Sequence, residues 1–259
     1  MKKFELTDEF IIDVFGNKLF RIKALVSFGP VSAGKLGGFV EKEENLSNNG
    51  SSWVSGNAQV SGNARVSGDA QVSGNARVSG NARVSGDAQV SGNARVSGNA
   101  QVSGNARVSG NARVYGDAQV YGDAQVSGNA QVYGDAQVSG NAQVYGDAWV
   151  YGDAQVSGNA QVYGDARVYG DAQVSGNAQV YGDADYAVVT GFGRYFRATT
   201  FFRCEDKILR VQCGCFYGDL AQFREIVKKT HGDSKYAKEY LAIADLMELH
   251  FSDECGGEQ

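Results

Sequence analysis

Between residues 54 and 185 the apolar positions recur with a period of six. Each unit reads Val, Ser or Tyr, Gly, Asn or Asp, Ala, and one variable residue, and 22 such units follow one another without interruption. In the unit Ala58-Gln59-Val60-Ser61-Gly62-Asn63, strand alternation puts Ala58 and Val60 on one side and Gln59 and Ser61 on the other. Gly62-Asn63 then supplies a corner, because both residue types tolerate positive φ. A fixed period marks a stacked repeat architecture. A corner every six residues predicts a β-solenoid with triangular coils, three units and 18 residues to the turn. Each strand pairs with its copy 18 residues on at ~4.8 Å per coil, so 22 units make about 7 coils and a rod roughly 35 Å long.

The expected core consists of columns of Val on Val and Ala on Ala. Both side chains are small, so hydrophobic burial per coil is modest. Ladder hydrogen bonds and in-register Asn stacks are expected to contribute, as in cross-β stacks, and stability accumulates through nearest-neighbour interfaces. A disordered Gly/Ser/Asn tract would not keep Val and Ala at invariant register, and the only proline, Pro30, lies outside the tract.

The repeat divides the chain into an N-terminal β cap (1–53), the solenoid (54–185) and a C-terminal α+β cap (186–259). In the first segment, residues 10–15 and 18–25 read as strands of a hairpin around Gly16-Asn17. An open solenoid end exposes unpaired strand edges, which this segment would cover. Beyond the repeat, residues 187–190, 195–203 and 208–216 read as strands. Asp219 is the N-cap of a first helix with Leu220, Phe223, Ile226 and Val227 as its apolar face and Gly232 at its end. A second helix is predicted over 234–251, with Tyr236, Tyr240, Ala244, Met247 and Phe251 on one stripe.

Units three apart stack, so the outward residues fall into columns 18 apart. One face carries Ser67, Ser85 and Ser103 beside Arg65, Arg83 and Gln101. A second carries Ser73, Ser91, Ser109 and Ser127, then Tyr145, Tyr163 and Tyr181. The third differs from both. Arg77, Arg95 and Arg113 share a column with Gln131, Trp149 and Arg167, and Tyr115, Tyr133, Tyr151 and Tyr169 run alongside. Aromatic residues and Arg are enriched at interfaces and stacking surfaces, so these Arg, Trp and Tyr residues are the candidate binding strip.

Every Tyr unit also carries Asp, which builds corner columns such as Asp117, Asp135, Asp153 and Asp171. At exposed, solvated corners these are expected to hold no metal. Cys204, Cys213, Cys215 and His231 lack the C-x2-C spacing of a zinc site and read as cap residues. No catalytic residue, metal or cofactor is assigned.

The 259 residues have a formal net charge of −5, which argues against nucleic acid as a partner. No apolar run approaches the ~20 residues of a membrane span. The first residues, Met1-Lys2-Lys3-Phe4-Glu5, lack the apolar core of a signal peptide, and the four cysteines give no disulfide framework across the chain. A cytoplasmic location is the expectation.

The Val-to-Ala spacing resembles the hexapeptide-repeat superfamily of left-handed parallel β-helices, which includes many trimeric acyltransferases. The resemblance implies left-handed coils and, in many members, a homotrimer. The segment Gly37-Gly38-Phe39-Val40-Glu41 and the tail motifs Cys213-Gly214-Cys215-Phe216 and Thr230-His231-Gly232-Asp233 are similar to uncharacterised bacterial or phage-borne members. Acyltransferases of this superfamily use a solenoid histidine as general base. This solenoid has none, and His231 and His250 both lie beyond it. The reading is therefore a non-enzymatic, rigid structural or interaction module that binds a protein partner or itself. An acyltransferase-like enzyme, or a small-ligand binder with a site at a subunit interface or cap, is the alternative.

Overall fold

Each six-residue unit forms one two-residue strand, because a glycine corner ends it before a longer strand can develop. In the computed structural model, which describes residues 2–252, these strands stack into a parallel β-solenoid of about eight coils with 18-residue turns. Register is uniform: Arg77 pairs with Arg95, Arg95 with Arg113, and Val78 with Val96. Three backbone bonds per unit join successive coils, as in Gln59 N–H to Ala76 O (2.9 Å), Ser61 N–H to Val78 O (3.0 Å) and Asn63 N–H to Gly80 O (2.8 Å). Val and Ala of the units point inward and are buried, as alternation requires.

The corner departs from expectation in one respect. Gly62 takes φ +66°, but no Asn of the repeat adopts positive φ; among the described residues only Phe196 and Lys207 do so without being glycine. Gly62 and Asn63 are together the central residues of the turn, which Ala64 N–H closes onto Ser61 O at 3.3 Å, but only glycine takes the left-handed conformation. The Asn side chain serves the stack, since Asn75 Nδ2 donates to Asn93 Oδ1, Asn93 to Asn111 and Asn111 to Asn129. That ladder closes on Asp147, which accepts from Asn129 at 2.9 Å. A carboxylate only accepts, so it fits at the end towards which every amide donates.

In chain order the N-terminal elements are β1 (Phe4–Ile12), β2 (Lys18–Ala24) and β3 (Leu36–Val40). The rungs of the repeat follow as β4 (Trp53–Val54) to β25 (Gln179–Val180). β1 and β2 form an antiparallel hairpin, β2 pairs with β3, and β3 pairs in parallel with the rung Gln59–Val60. The first strand is thus 4–12 rather than 10–15. Asp13 ends it by accepting from the N–H groups of Phe15 and Asn17 and from Asn17 Nδ2, which leaves Val14 and Phe15 exposed in the turn.

Residues 36–53 form an irregular first coil rather than a cap alone. Val40 pairs with Val60, Leu46 bridges to Val66 and Trp53 pairs with Gln71. Two polar side chains serve the backbone groups at this end. Buried Asn45 donates to Gly62 O and Ala64 O, and Lys3 Nζ donates to Gly50 O, Ser52 O and Ser52 Oγ. Burial brings the Lys3 ammonium pKa down to about 8, against the opposing pull of Asp69.

At the other end, β26 (Tyr186–Val189), β27 (Thr199–Arg203), β28 (Leu209–Cys213) and β29 (Phe216–Asp219) make an antiparallel sheet in that order. The predicted strand 195–203 begins only at Thr199. The predicted strand 208–216 is a hairpin, because Gly214 at φ +59° turns the chain between β28 and β29. Helices α1 (Leu220–His231) and α2 (Lys235–His250) follow; Asp219 caps α1 by accepting from Gln222 N–H, and Gly232 terminates it. Ile226 and Tyr236, read as apolar-face residues, are exposed. β27 is buried on both faces. Phe202 joins the rod core, while Phe201 joins a second core with Val211, Phe223, Val227 and Met247. Thr200 Oγ1 accepts from Gln173 N–H, and Tyr186 OH donates to Arg167 O, so cap side chains meet backbone groups of the last coil.

Since each coil contacts only its neighbours, deletion of residues 96–113 removes one whole coil and keeps register. The variant should remain soluble and melt cooperatively, a few degrees below wild type, when followed by circular dichroism. Insoluble protein would show that coils are not interchangeable.

Candidate interaction face

The strip predicted from column sorting is present on the sheet that also holds β1, β2 and β3. Its strands run Gln59, Arg77, Arg95, Arg113, Gln131, Trp149 and Arg167, each paired with the next. The structure divides the strip in two. Arg77, Arg95 and Arg113 form the half nearer the N-terminus, with Arg95 and Arg113 exposed and Arg77 half-buried. The other half is aromatic.

Strand pairing sets the ring spacing of the aromatic half. Tyr115 and Tyr133 stack at 4.8 Å with planes 3° apart, Tyr133 and Tyr151 at 5.0 Å and 2°, and Tyr151 and Tyr169 at 5.3 Å and 17°. Trp149 meets Tyr133 edge-on at 6.4 Å, and the Arg167 guanidinium lies 5.3 Å from the Trp149 ring. Arg167 thus joins the aromatic cluster and not the arginine column. Ring faces along the ladder are occupied by one another, so the strip offers outward edges and hydroxyls instead of stacking platforms. Of the four ladder tyrosines only Tyr169 is exposed; Tyr115, Tyr133 and Tyr151 are half-buried. Burial raises the pKa of the Tyr115 phenol, with Arg113 opposing. Burial also raises Tyr133, reinforced by Tyr115 and Tyr151 and opposed by Arg167. Both phenols are neutral hydrogen-bonding groups at physiological pH, and Tyr115 OH already donates to Gln131 Oε1 at 3.2 Å.

A second ladder, Tyr145 on Tyr163 at 5.1 Å, runs on the neighbouring sheet, and Tyr181 closes it edge-on. The column is visible in the repeat, but its stacking is set by side-chain torsions. The cysteines and His231 do not form a single cluster. Cys204 is buried at the rod end, 4.0 Å from Tyr217 OH, whereas Cys213, Cys215 and His231 border a cavity in the cap. Among the described residues no group of three or more His, Cys, Asp or Glu is placed to hold a metal ion. No helix among them is long and apolar enough to cross a membrane.

Fold and face together define a capped parallel β-solenoid repeat protein. Comparison with known families agrees: eleven overlapping segments, covering residues 58–86 and 88–176, match the family described as the YdcK β-solenoid repeat. The matched region is a little under half of the 259 residues and contains neither cap. No curated protein matches the chain.

Proposed function

We propose that this protein is a non-enzymatic, rigid β-solenoid module that binds a protein partner or a second copy of itself through the strip Arg113-Trp149-Arg167 and Tyr115-Tyr133-Tyr151-Tyr169. The observation that carries this reading is the continuous ladder of four stacked tyrosines flanked by Trp149 and Arg167, the longer of the two tyrosine ladders described on the rod. Pre-stacked rings have lost their rotamer freedom before a partner arrives, which lowers the entropic cost of binding. Tyr, Trp and Arg also dominate interface energetics. The acyltransferase alternative has no histidine in the coils to act as base, and the uninterrupted repeat supplies none of the inserted loops that such enzymes use.

Self-association is the form tested first. Light scattering on the purified chain should give a multiple of 27.5 kDa. The double variant Trp149→Gln/Tyr151→Ser should shift it to the monomer, since loss of two anchors of about 2 kcal/mol each weakens association roughly a thousandfold. A monomeric wild-type chain would remove the self-binding form. An assembly untouched by the substitutions would place the interface elsewhere.

A further inference from the structure

The C-terminal cap contains a cavity of about 230 Å³ between α1, the β28–β29 turn and the segment 190–198. Its inner wall is apolar: Phe223, Val227 and Tyr240 are buried there, and Phe216 is half-buried. Its mouth carries two guanidiniums, Arg194 and Arg197, and no Asp or Glu lines it. Neither arginine has an ion-pair partner among the described residues. Both sit over the exposed Tyr195 ring, at 5.5 and 5.2 Å.

The arrangement is held in place. Gly193 N–H donates to Glu239 Oε2 at 2.9 Å, which fastens the segment to α2. A Cβ at Gly193, whose φ is +72°, would fall 2.0 Å from Tyr240 OH, so only glycine allows this close approach. Phe196, at φ +53°, holds a left-handed backbone conformation rare for an aromatic residue, leaving its own ring 70 % exposed while the next residue, Arg197, reaches the cavity. Such local strain persists only where surrounding contacts over-determine it, and it clusters at ligand sites. Behind the arginines, burial and the neighbouring Cys213 push the Tyr240 phenol up to about 12, partly offset by Arg197, so the wall facing the guanidiniums is neutral.

We infer that this cavity binds a small amphipathic anion, a monoaryl or short-alkyl carboxylate, with its apolar body against Phe223, Val227 and Tyr240 and its carboxylate on Arg194 and Arg197. An apolar wall with a few convergent polar groups is the usual composition of a small-ligand site. Guanidiniums are the donors best matched to a carboxylate. Size restricts the ligand, since the cavity lies below the roughly 300 Å³ of typical drug-sized pockets. The site is separate from the strip on the rod and does not depend on that reading.

Isothermal titration with 3-phenylpropionate, and with 3-phenylpropanol as the uncharged control, tests the assignment on the full chain. The carboxylate should bind saturably. Arg197→Ala should weaken it about tenfold or more, as expected for loss of a charge-assisted hydrogen bond, and leave the weaker binding of the alcohol unchanged. Ile226→Trp, at the exposed edge of the cavity, should block both compounds without altering the melting curve. No saturable binding at millimolar probe would overturn the inference. So would equal binding of acid and alcohol, or binding that survives both substitutions.

Discussion

Phe202→Ala should destabilise the protein by about 3–5 kcal/mol, the range for truncating a fully buried phenylalanine, measured by chemical denaturation. Phe202 is 0 % exposed and belongs to the same core as the Val and Ala columns of the rod. It stands on β27, whose packing against the last rungs covers an end that would otherwise show its dry interior to water. Alanine there would leave a void or admit solvent at the terminus from which the stack can fray. Phe202 is the fully buried aromatic of the cap in the rod core, which Tyr186 and Cys204 also enter, so the loss should appear as a lowered midpoint for both rod and cap. A change below about 1 kcal/mol would mean that the ring is not the seal.

The second large effect is expected at the corners. Gly128 sits at φ +67°, and a Cβ there would lie 2.8 Å from Gly146 O in the next coil. Left-handed backbone costs an L-residue roughly 1–2 kcal/mol, and overlap with a backbone atom that cannot rotate away adds about 1–3 kcal/mol more. Gly128→Ala should therefore cost about 3 kcal/mol. Gly170 is the internal control. Its φ is +62°, but nothing lies within 4 Å of a Cβ placed there, because no regular coil follows. Gly170→Ala should lose only the conformational part, about 1–2 kcal/mol. Equal losses at the two sites would show that coil contact contributes nothing to the requirement for glycine.

Much of the rod could be read from the repeat because its geometry is locally periodic. Ala58, Val60 and their copies lie inward since strand side chains alternate with period two. Arg77 stacks on Arg95 because 18 residues make one coil. Coil, column and face follow from counting. The same reasoning failed where period gave way to particular contacts. The strand expected at 10–15 moved to 4–12 because the Asp13 carboxylate captures the backbone of the turn. The strand expected at 208–216 became a hairpin at Gly214. Asn63 is half of the corner as expected, but without positive φ, and its amide is also engaged with Asn81 of the neighbouring coil.

The candidate strip was legible as composition and only partly as chemistry. Column sorting placed Trp149 beside the tyrosines, and the pairing of Gln131, Trp149 and Arg167 agrees. That the tyrosine rings cover one another's faces depends on side-chain torsions, which no pattern of letters contains. The cap cavity was not legible in the sequence, where Cys213, Cys215 and His231 read only as cap residues and residues 195–203 as a strand.

The six-residue period establishes the solenoid and its 18-residue coil, because both follow from interactions repeated between like neighbours, and the variable Ser/Tyr and Gln/Arg/Trp positions make its three faces unlike. Tertiary structure alone decides how the rod is closed, where its first coil begins and how Arg194 and Arg197 come to stand over an apolar cavity. Those outcomes depend on single contacts between residues far apart in the chain, such as Gly193 with Glu239 or Gln173 with Thr200, and a contact made once leaves no period to read.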